Sequence, residues 1–173
     1  MDDLSHYSVI ERMRGGGILE IRALQPDDRA GLLTAVDHTS ARSLYLRFFG
    51  ERHHFTDKEI AFFLDVDFTS HLALVATAEH EGERVIVGGA RYIVTRPGQA
   101  EVAITVIDSC QGQGIGGILM HHLVSLARRR GLTELVAEVL SDNARMLKLF
   151  ARCGLPLSMK REAEAIHVVL QLN

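Results

Sequence analysis

A glycine-rich segment, residues 108–117, has the residue types and spacing that most clearly indicate chemistry. It contains Gly112, Gly114, Gly116 and Gly117 and lies between a predicted strand and a predicted helix. Glycine lets a backbone approach a ligand closely, and the unpaired N–H groups of a first helical turn attract negative charge. The segment is therefore predicted to bind a pyrophosphate group.

Two other kinds of phosphate-binding loop compete for this segment. A P-loop needs a lysine that reaches the terminal phosphates, and no lysine follows the glycines here, so that alternative fails. The dinucleotide pattern Gly-x-Gly-x-x-Gly is formally met by Gly112, Gly114 and Gly117, and the acidic Glu134 and Glu138 lie about 20 residues further on. Too few residues follow Gly117 for the remaining strands and helices of a dinucleotide-binding fold, which makes this the weaker alternative.

The elements that must position the segment change in type along the chain. After a first strand, helical patterns dominate the first third, and strand patterns begin at His71. The predicted strands span 18–24, 72–78, 85–95, 100–107, 132–140, 157–159 and 165–172, and the predicted helices begin at Gln25 and Thr56 or span 40–49, 115–130 and 143–152. Antiparallel strands followed by a β-α-β-α unit indicate an α/β (α+β) fold with a mixed sheet rather than a doubly wound parallel one.

Length and composition favour a single domain over residues 1–173. The chain is 47% hydrophobic and 24% charged, the balance of an ordinary globular protein. The triplet Gly15-Gly16-Gly17 is predicted to separate a flexible leader, residues 1–15, from the first strand. The formal net charge of −3 argues against a nucleic-acid partner.

The sequence also bears on location. The leader has no apolar core of a signal peptide, and no 18-residue apolar run occurs. The two cysteines, Cys110 and Cys153, form no disulfide framework, which suits a reducing compartment. We therefore expect a cytoplasmic protein with no membrane partner. No metal site is expected either, because the histidines lack the spacing of metal ligands.

The pattern Gln111-x-x-Gly114-x-Gly116 resembles the Gln/Arg-x-x-Gly-x-Gly/Ala signature of the GNAT superfamily of N-acetyltransferases, which bind the pyrophosphate of coenzyme A. The resemblance runs from about residue 18 to the end of the chain. Residues 43–49 and 101–103 resemble the catalytic domain of bacterial protein lysine acetyltransferases. Those proteins often carry an appended cyclic-nucleotide-binding or acyl-CoA-synthetase-like domain, for which these 173 residues leave no room.

The resemblance implies a GNAT-like, mostly antiparallel sheet flanked by helices, with one splayed parallel strand pair and acetyl-CoA as the cosubstrate. Pantetheine would fill the gap between the splayed strands, and a backbone N–H near Val106 would stabilise the thioester oxyanion. Asn143 is implied to contact the cosubstrate, and it is equally suited to capping the helix that follows it. The residues implied to bind acetyl-CoA are Thr105, Val106, Gln111, Gly112, Gln113, Gly114, Ile115, Gly116, Gly117 and Asn143.

Glu101 is the residue expected to do the acid–base chemistry. A lysine amine has an ordinary pKa of about 10.4 and must lose a proton before it attacks a thioester. Glu101 matches the general-base glutamate of the lysine acetyltransferases that the chain resembles. Glu138 is a rival carboxylate, for which an exposed or ion-paired structural role is favoured. Many superfamily members protonate the leaving thiolate with a tyrosine, and that position is Phe150 here, so no general acid is predicted.

Several other side chains are weaker candidates. Asp65 and Asp67 could line an acceptor groove, although a solvated helix end explains them better. Cys110 could accept an acyl group, but no paired histidine is identifiable. A set of basic residues on one predicted helix face is a candidate contact for the adenosine 3′-phosphate: Arg145, Lys148 and Arg152.

The leading hypothesis is an acetyl-CoA-dependent N-acetyltransferase that transfers an acetyl group to a protein lysine by direct attack on the thioester. Its partner is then an acceptor protein with a target lysine, and the resemblance points to an acyl-CoA synthetase as one such protein. Two alternatives stay open: acetylation of a small-molecule amine, and a noncatalytic acyl-CoA-binding regulatory module.

Overall fold

The computed structural model describes residues 2–50 and 54–173. These residues form eight strands and five α-helices. The strands are β1 (Ser8–Arg12), β2 (Ile18–Ala23), β3 (His71–His80), β4 (Glu83–Arg96), β5 (Gln99–Val106), β6 (Glu134–Leu140), β7 (Leu157–Glu162) and β8 (Ala165–Gln171). The helices are α1 (Arg29–Asp37), α2 (Ala41–Phe48), α3 (Asp57–Leu64), α4 (Ile115–Arg129) and α5 (Ala144–Ala151).

All eight strands belong to one sheet, in the order β1-β2-β3-β4-β5-β6-β8-β7. Each neighbouring pair is antiparallel except β5 and β6, which are parallel. The predicted mixed, mostly antiparallel sheet with one parallel pair is therefore confirmed. This topology excludes the dinucleotide-binding alternative, whose sheet is mostly parallel.

Helices cover both faces of the sheet. On one face, Ala100, Val102 and Ile104 of β5 join the main core with the buried side of α4. On the other face, the alternate residues of β5 point towards α1, α2 and α3, because successive side chains of a strand point to opposite faces. We call this second side the α1–α3 face; it carries Glu101, Ala103 and Thr105.

Local signals placed the helix starts well. The Thr56 side chain accepts from the Glu59 N–H while the Glu59 side chain accepts from the Thr56 N–H, and α3 begins at the next residue. Pro26 lies in a short 3-10 turn, Pro26–Asp28, and α1 follows it directly. Proline suits such a first turn because its missing N–H would have no partner there.

The N-terminal segment differs from the sequence prediction. Residues 1–15 were expected to be flexible, yet β1 pairs with β2 in the described part of that segment, which begins at residue 2. Leu4 is buried, and the buried His122 of α4 contacts both the Tyr7 hydroxyl, 2.5 Å from Nδ1, and the Glu11 carboxylate, 2.8 Å from Nε2. The segment is therefore part of the sheet rather than a flexible leader; its contacts with His122 span more than 100 residues and leave no local signal.

Candidate active site

A cleft opens where β5 and β6 separate. The two strands pair only over Gln99–Glu101 and Glu134–Val136, although β5 continues to Val106 and β6 to Leu140. Their diverging edges border a cleft of about 1430 Å³. Unpaired strand edges offer N–H and C=O groups to an extended polar chain, so this gap fits the pantetheine arm of coenzyme A.

The glycine-rich segment and the start of α4 border the same cleft. Gly112 and Gly114 have φ angles of 77° and 88°, which residues with a Cβ rarely adopt. Gly114 is the N-cap residue and has no side chain with which to cap α4, so the first N–H groups of the helix attract negative charge. A Cβ added at Gly112, Gly114 or Gly117 would meet nothing within 4 Å. This open backbone fits a diphosphate.

The side chain of Gln111 holds the segment against the rest of the protein. Its Nε2 donates to the Val106 carbonyl oxygen at 3.0 Å and to the Ser43 hydroxyl at 3.3 Å. Its Oε1 accepts a hydrogen bond from Arg145. The sequence predicts a cosubstrate contact for Gln111, whereas these bonds support a role in positioning the loop between β5, α2 and α5.

The structure brings the predicted acetyl-CoA-binding residues to one cleft. Asn143 also caps α5, because its Oδ1 accepts from the Met146 N–H at 3.2 Å, so both of its predicted roles are compatible. The basic residues of α5 border the cleft as well. The cleft-lining residues of these two sets are Thr105, Val106, Gln111, Gly112, Gln113, Gly114, Ile115, Gly116, Gly117, Asn143, Arg145, Lys148 and Arg152.

Glu101 lies at the last paired position of β5, and its side chain is exposed. It borders the cleft on the α1–α3 face. The nearby Arg47 of α2 borders the cleft too; burial lowers the pKa of Arg47 to about 10, and the negative charge of Glu101 opposes that shift. The carboxylate and the guanidinium therefore attract each other where the two strands begin to separate.

Glu138 faces the cleft from the opposite strand. It follows Val136, the register partner of Glu101, by two residues, so the two carboxylates share one face of the sheet. Its Oε1 is paired with Nδ1 of His167 on β8. The sequence favoured an exposed or ion-paired structural role for Glu138, and this contact gives the exposed carboxylate a partner on the neighbouring strand.

In the described parts of the chain no tyrosine is placed to act as an acid, and Cys110 makes a long contact with a histidine. No tyrosine borders the cleft there, and Phe150 is 1% exposed within the core. Cys110 is buried, and its Sγ lies 4.0 Å from Nδ1 of His80. The sequence did not identify that histidine because it lies 30 residues away at the end of β3.

Asp65 and Asp67 do not border the cleft. Asp67 instead accepts hydrogen bonds from the N–H groups of Thr69, Ser70 and His71 and so fixes the turn before β3. Burial opposes ionisation of Asp67, but hydrogen bonds from the Ser70 hydroxyl and those three N–H groups lower its pKa to about 2. The idea that these carboxylates line an acceptor groove is therefore wrong.

Sequence reasoning missed the contacts that fix α2 against the loop. The Asp108 carboxylate accepts from the Ser40 N–H at 2.8 Å and from the Ser43 hydroxyl at 3.3 Å. Sequence reasoning also assigned no role to Arg91 of β4, which lies opposite Ala103 of β5. An aspartate directly after a strand is a weak signal for a capping contact, but nothing local identifies its distant partner.

Residues 2–50 and 54–173 show neither a metal-binding cluster nor a helix able to span a membrane. Among these residues, no group of three histidine, cysteine or carboxylate side chains is arranged to hold a metal ion. No helix within the same ranges has the length and apolar character needed to cross a membrane.

Both the sequence and the fold of this chain are similar to those of known proteins. The family model described as the acetyltransferase (GNAT) family matches residues 38–155. An acetyltransferase from Pseudomonas aeruginosa is 30% identical over 146 residues, which make up 84% of this chain and 78% of that protein.

A second relative and a solved structure add detail. Acetyltransferase Pat from Mycolicibacterium smegmatis is 33% identical over 147 residues, 83% of this chain but 43% of Pat, so the chain spans less than half of that relative. The crystal structure of the GNAT domain of S. lividans PAT has a TM-score of 0.88 and 29% identity, and the match covers 98% of this chain and 99% of that chain.

Proposed function

The chain belongs to the GNAT acetyltransferase family, and we propose that it transfers the acetyl group of acetyl-CoA to a lysine side chain of an acceptor protein. The family assignment makes it an acetyltransferase that uses acetyl-CoA. The observation that carries the finer proposal is the exposed Glu101 at the point where β5 and β6 separate. The likeness over nearly the whole chain to the GNAT domain of PAT supports a protein acceptor.

The charges on the α1–α3 face support a cationic acceptor. Glu101 and Glu138 face the cleft from its two sides, and carboxylates attract an approaching ammonium group. Glu101 then accepts a proton from that group, directly or through a water molecule, which leaves a neutral amine.

The amine nitrogen forms a bond to the thioester carbonyl carbon and gives up its second proton to water, and the bond from that carbon to sulfur breaks with its electron pair going to the sulfur. A backbone N–H near Val106 on the diverging edge of β5 is the proposed donor to the oxyanion. Phe150 occupies the position of the usual acid, so the thiolate leaves without one. A thiol with an ordinary pKa of about 8.5 is already a fair leaving group.

The test uses labelled acetyl-CoA and an undialysed cell extract, which still contains small amines. We expect label on a discrete protein band that a lysine deacetylase removes, because the proposed acceptor is a protein lysine. Label that passes through a small-pore membrane, and none on protein, would contradict the proposal in favour of a small amine.

A further inference from the structure

A second, smaller cavity adjoins the cleft on the α1–α3 face. It has a volume of about 130 Å³ and lies between the sheet and helices α1, α2 and α3. It shares Arg47, Ala103 and Thr105 with the cleft, so the two spaces meet next to the proposed site of transfer. A cavity of about 150 Å³ in another protein holds a molecule the size of benzene, so this one has room for a chain of a few carbon atoms.

Two guanidinium groups line this otherwise largely apolar cavity. Arg91 lies on β4 directly opposite Ala103; its Nη1 donates to the Phe63 carbonyl oxygen at 3.1 Å and lies 2.9 Å from His71 Nε2. Arg47 reaches the cavity from α2, with its Cζ 4.5 Å from the centre of the Phe48 ring. Both arginine side chains are half-buried.

The two cations are not neutralised by ion pairs within residues 2–50 and 54–173. No carboxylate there lies within 4.0 Å of either guanidinium. Burial, together with the positive charge of Arg47, lowers the pKa of Arg91 to about 10. The exposed Glu101 provides one negative charge near Arg47, and no carboxylate of the described residues lines the cavity itself.

We propose that Arg47 and Arg91 form a carboxylate-binding subsite of the acyltransferase, which takes an acid group carried either by the acyl chain or by the acceptor. This inference rests on the proposed function. A guanidinium binds a carboxylate through charge-assisted hydrogen bonds, which gain strength where water is scarce. Apolar walls such as Leu32, Val75 and Ile86 suit the methylene stem of such a ligand. The substrate class is thus a short dicarboxylic acyl thioester or an amine with a nearby acid group.

The first arm of the test measures the binding of two thioesters by calorimetry, without any acceptor. Succinyl-CoA carries a terminal carboxylate, and butyryl-CoA ends in a methyl group. The second arm measures, in the presence of coenzyme A, the affinities of two lysine peptides that differ only by glutamate or glutamine next to the lysine. In one of these two pairs, the thioesters or the peptides, we expect the acid-bearing member to bind at least about tenfold more tightly than its neutral counterpart.

Matched variants link that preference to the subsite. Arg47→Met removes the charge and should abolish the preference, whereas Arg47→Lys should retain part of it. Arg84→Met removes an exposed arginine at the start of β4, which pairs with Glu20 at 3.3 Å, and should leave the preference unchanged. Circular dichroism of each variant checks that the fold is intact.

The outcomes separate the subsite from the proposed function. Equal affinities within both pairs would overturn the subsite, as would a preference that survives in a folded Arg47→Met protein. Turnover is measured separately with acetyl-CoA and the same peptides. Transfer without any acid preference contradicts only the subsite, and an Arg47-dependent preference without transfer contradicts only the proposed function.

Discussion

Glu101 is the single side chain on which the proposed chemistry depends most. The Glu101→Gln change removes the proton acceptor but keeps the size of the side chain, so the cleft should keep its shape. We expect kcat to fall by about 100-fold or more near neutral pH, with little change in the affinity for acetyl-CoA. The deficit should shrink as the pH rises towards the ordinary lysine pKa of about 10.4, because more of the amine is then already neutral.

Steady-state kinetics over a range of pH, together with calorimetry of acetyl-CoA binding, measure both effects. Glu83→Gln removes a carboxylate from the distant β3–β4 hairpin and is the control. Unchanged turnover in Glu101→Gln would exclude this residue as the base and would direct attention to Glu138, which faces the same cleft.

At the scale of elements, two adjacent glycines of α4 make different demands on packing. A Cβ at Gly116 would lie 2.7 Å from Cδ1 of Leu149 on α5, whereas a Cβ at Gly117 would meet nothing within 4 Å. Alanine gains up to about 1 kcal/mol of helix propensity over glycine at either position. Close packing of α4 and α5 therefore requires glycine only at residue 116.

We predict that Gly117→Ala leaves the free energy of unfolding unchanged or raises it by up to about 1 kcal/mol. Gly116→Ala should lower it by about 1 kcal/mol, because the end of the Leu149 side chain must shift. Chemical denaturation measures both values. In a Leu149→Ala background the cost of Gly116→Ala should largely disappear, and a cost that persists there would show that the contact with Leu149 is not its cause.

The turn before β3 depends on the ionised form of Asp67. Its pKa is lowered to about 2, so its stabilising effect is present above the unfolded-state pKa of about 3.9. That effect is lost as the pH falls towards 2, because protonation removes charge-assisted hydrogen bonds. The carboxylate is largely exposed, so its contribution is that of a surface cap.

Asp67→Asn should lower the free energy of unfolding by about 1 kcal/mol at neutral pH. The difference from the unmodified protein should shrink as the pH falls from 4 to 2. Denaturant unfolding at several pH values measures this difference, with Asp65→Asn as the neighbouring control. A difference that stays constant down to pH 2 would mean that ionisation of Asp67 is not what stabilises the turn.

At the scale of the whole molecule, His122 attaches the N-terminal strand β1 to helix α4, more than 100 residues further along the chain. Its ring lies between Tyr7 and Glu11 and is 6% exposed. Replacement by alanine leaves both partners without their contact and opens a space in the core. We expect His122→Ala to lower the free energy of unfolding by about 2–4 kcal/mol and to reduce protection of β1 from hydrogen exchange.

Amide hydrogen exchange, read at residues 8–12, gives the local result, and denaturation gives the global one. His121→Ala removes the exposed neighbouring histidine. It should change neither the free energy of local opening of β1 nor the free energy of unfolding by more than about 0.5 kcal/mol. Full protection of β1 in a destabilised His122→Ala protein would show that pairing with β2 alone holds the strand in place.

The amino-acid sequence determined the features whose signals lie within a few residues. Glycine spacing identified the loop before α4, a capping box identified the start of α3, and strand-forming runs separated by turn residues identified β3 to β5. The order of these elements was enough to predict a mixed sheet, and resemblance added Glu101 and acetyl-CoA. Strand pairing then placed Glu101 at the edge of the cleft.

Only the tertiary structure decided the contacts between distant residues. His122 of α4 contacts Tyr7 and Glu11 of the N-terminal segment, the loop is held by Ser43 and Arg145, and Arg47 and Arg91 line one small cavity. Glu138 and His167 meet only because β6 and β8 are neighbours in the sheet. Such contacts come from packing of the whole chain, and the sequence around each partner contains no local signal that predicts them.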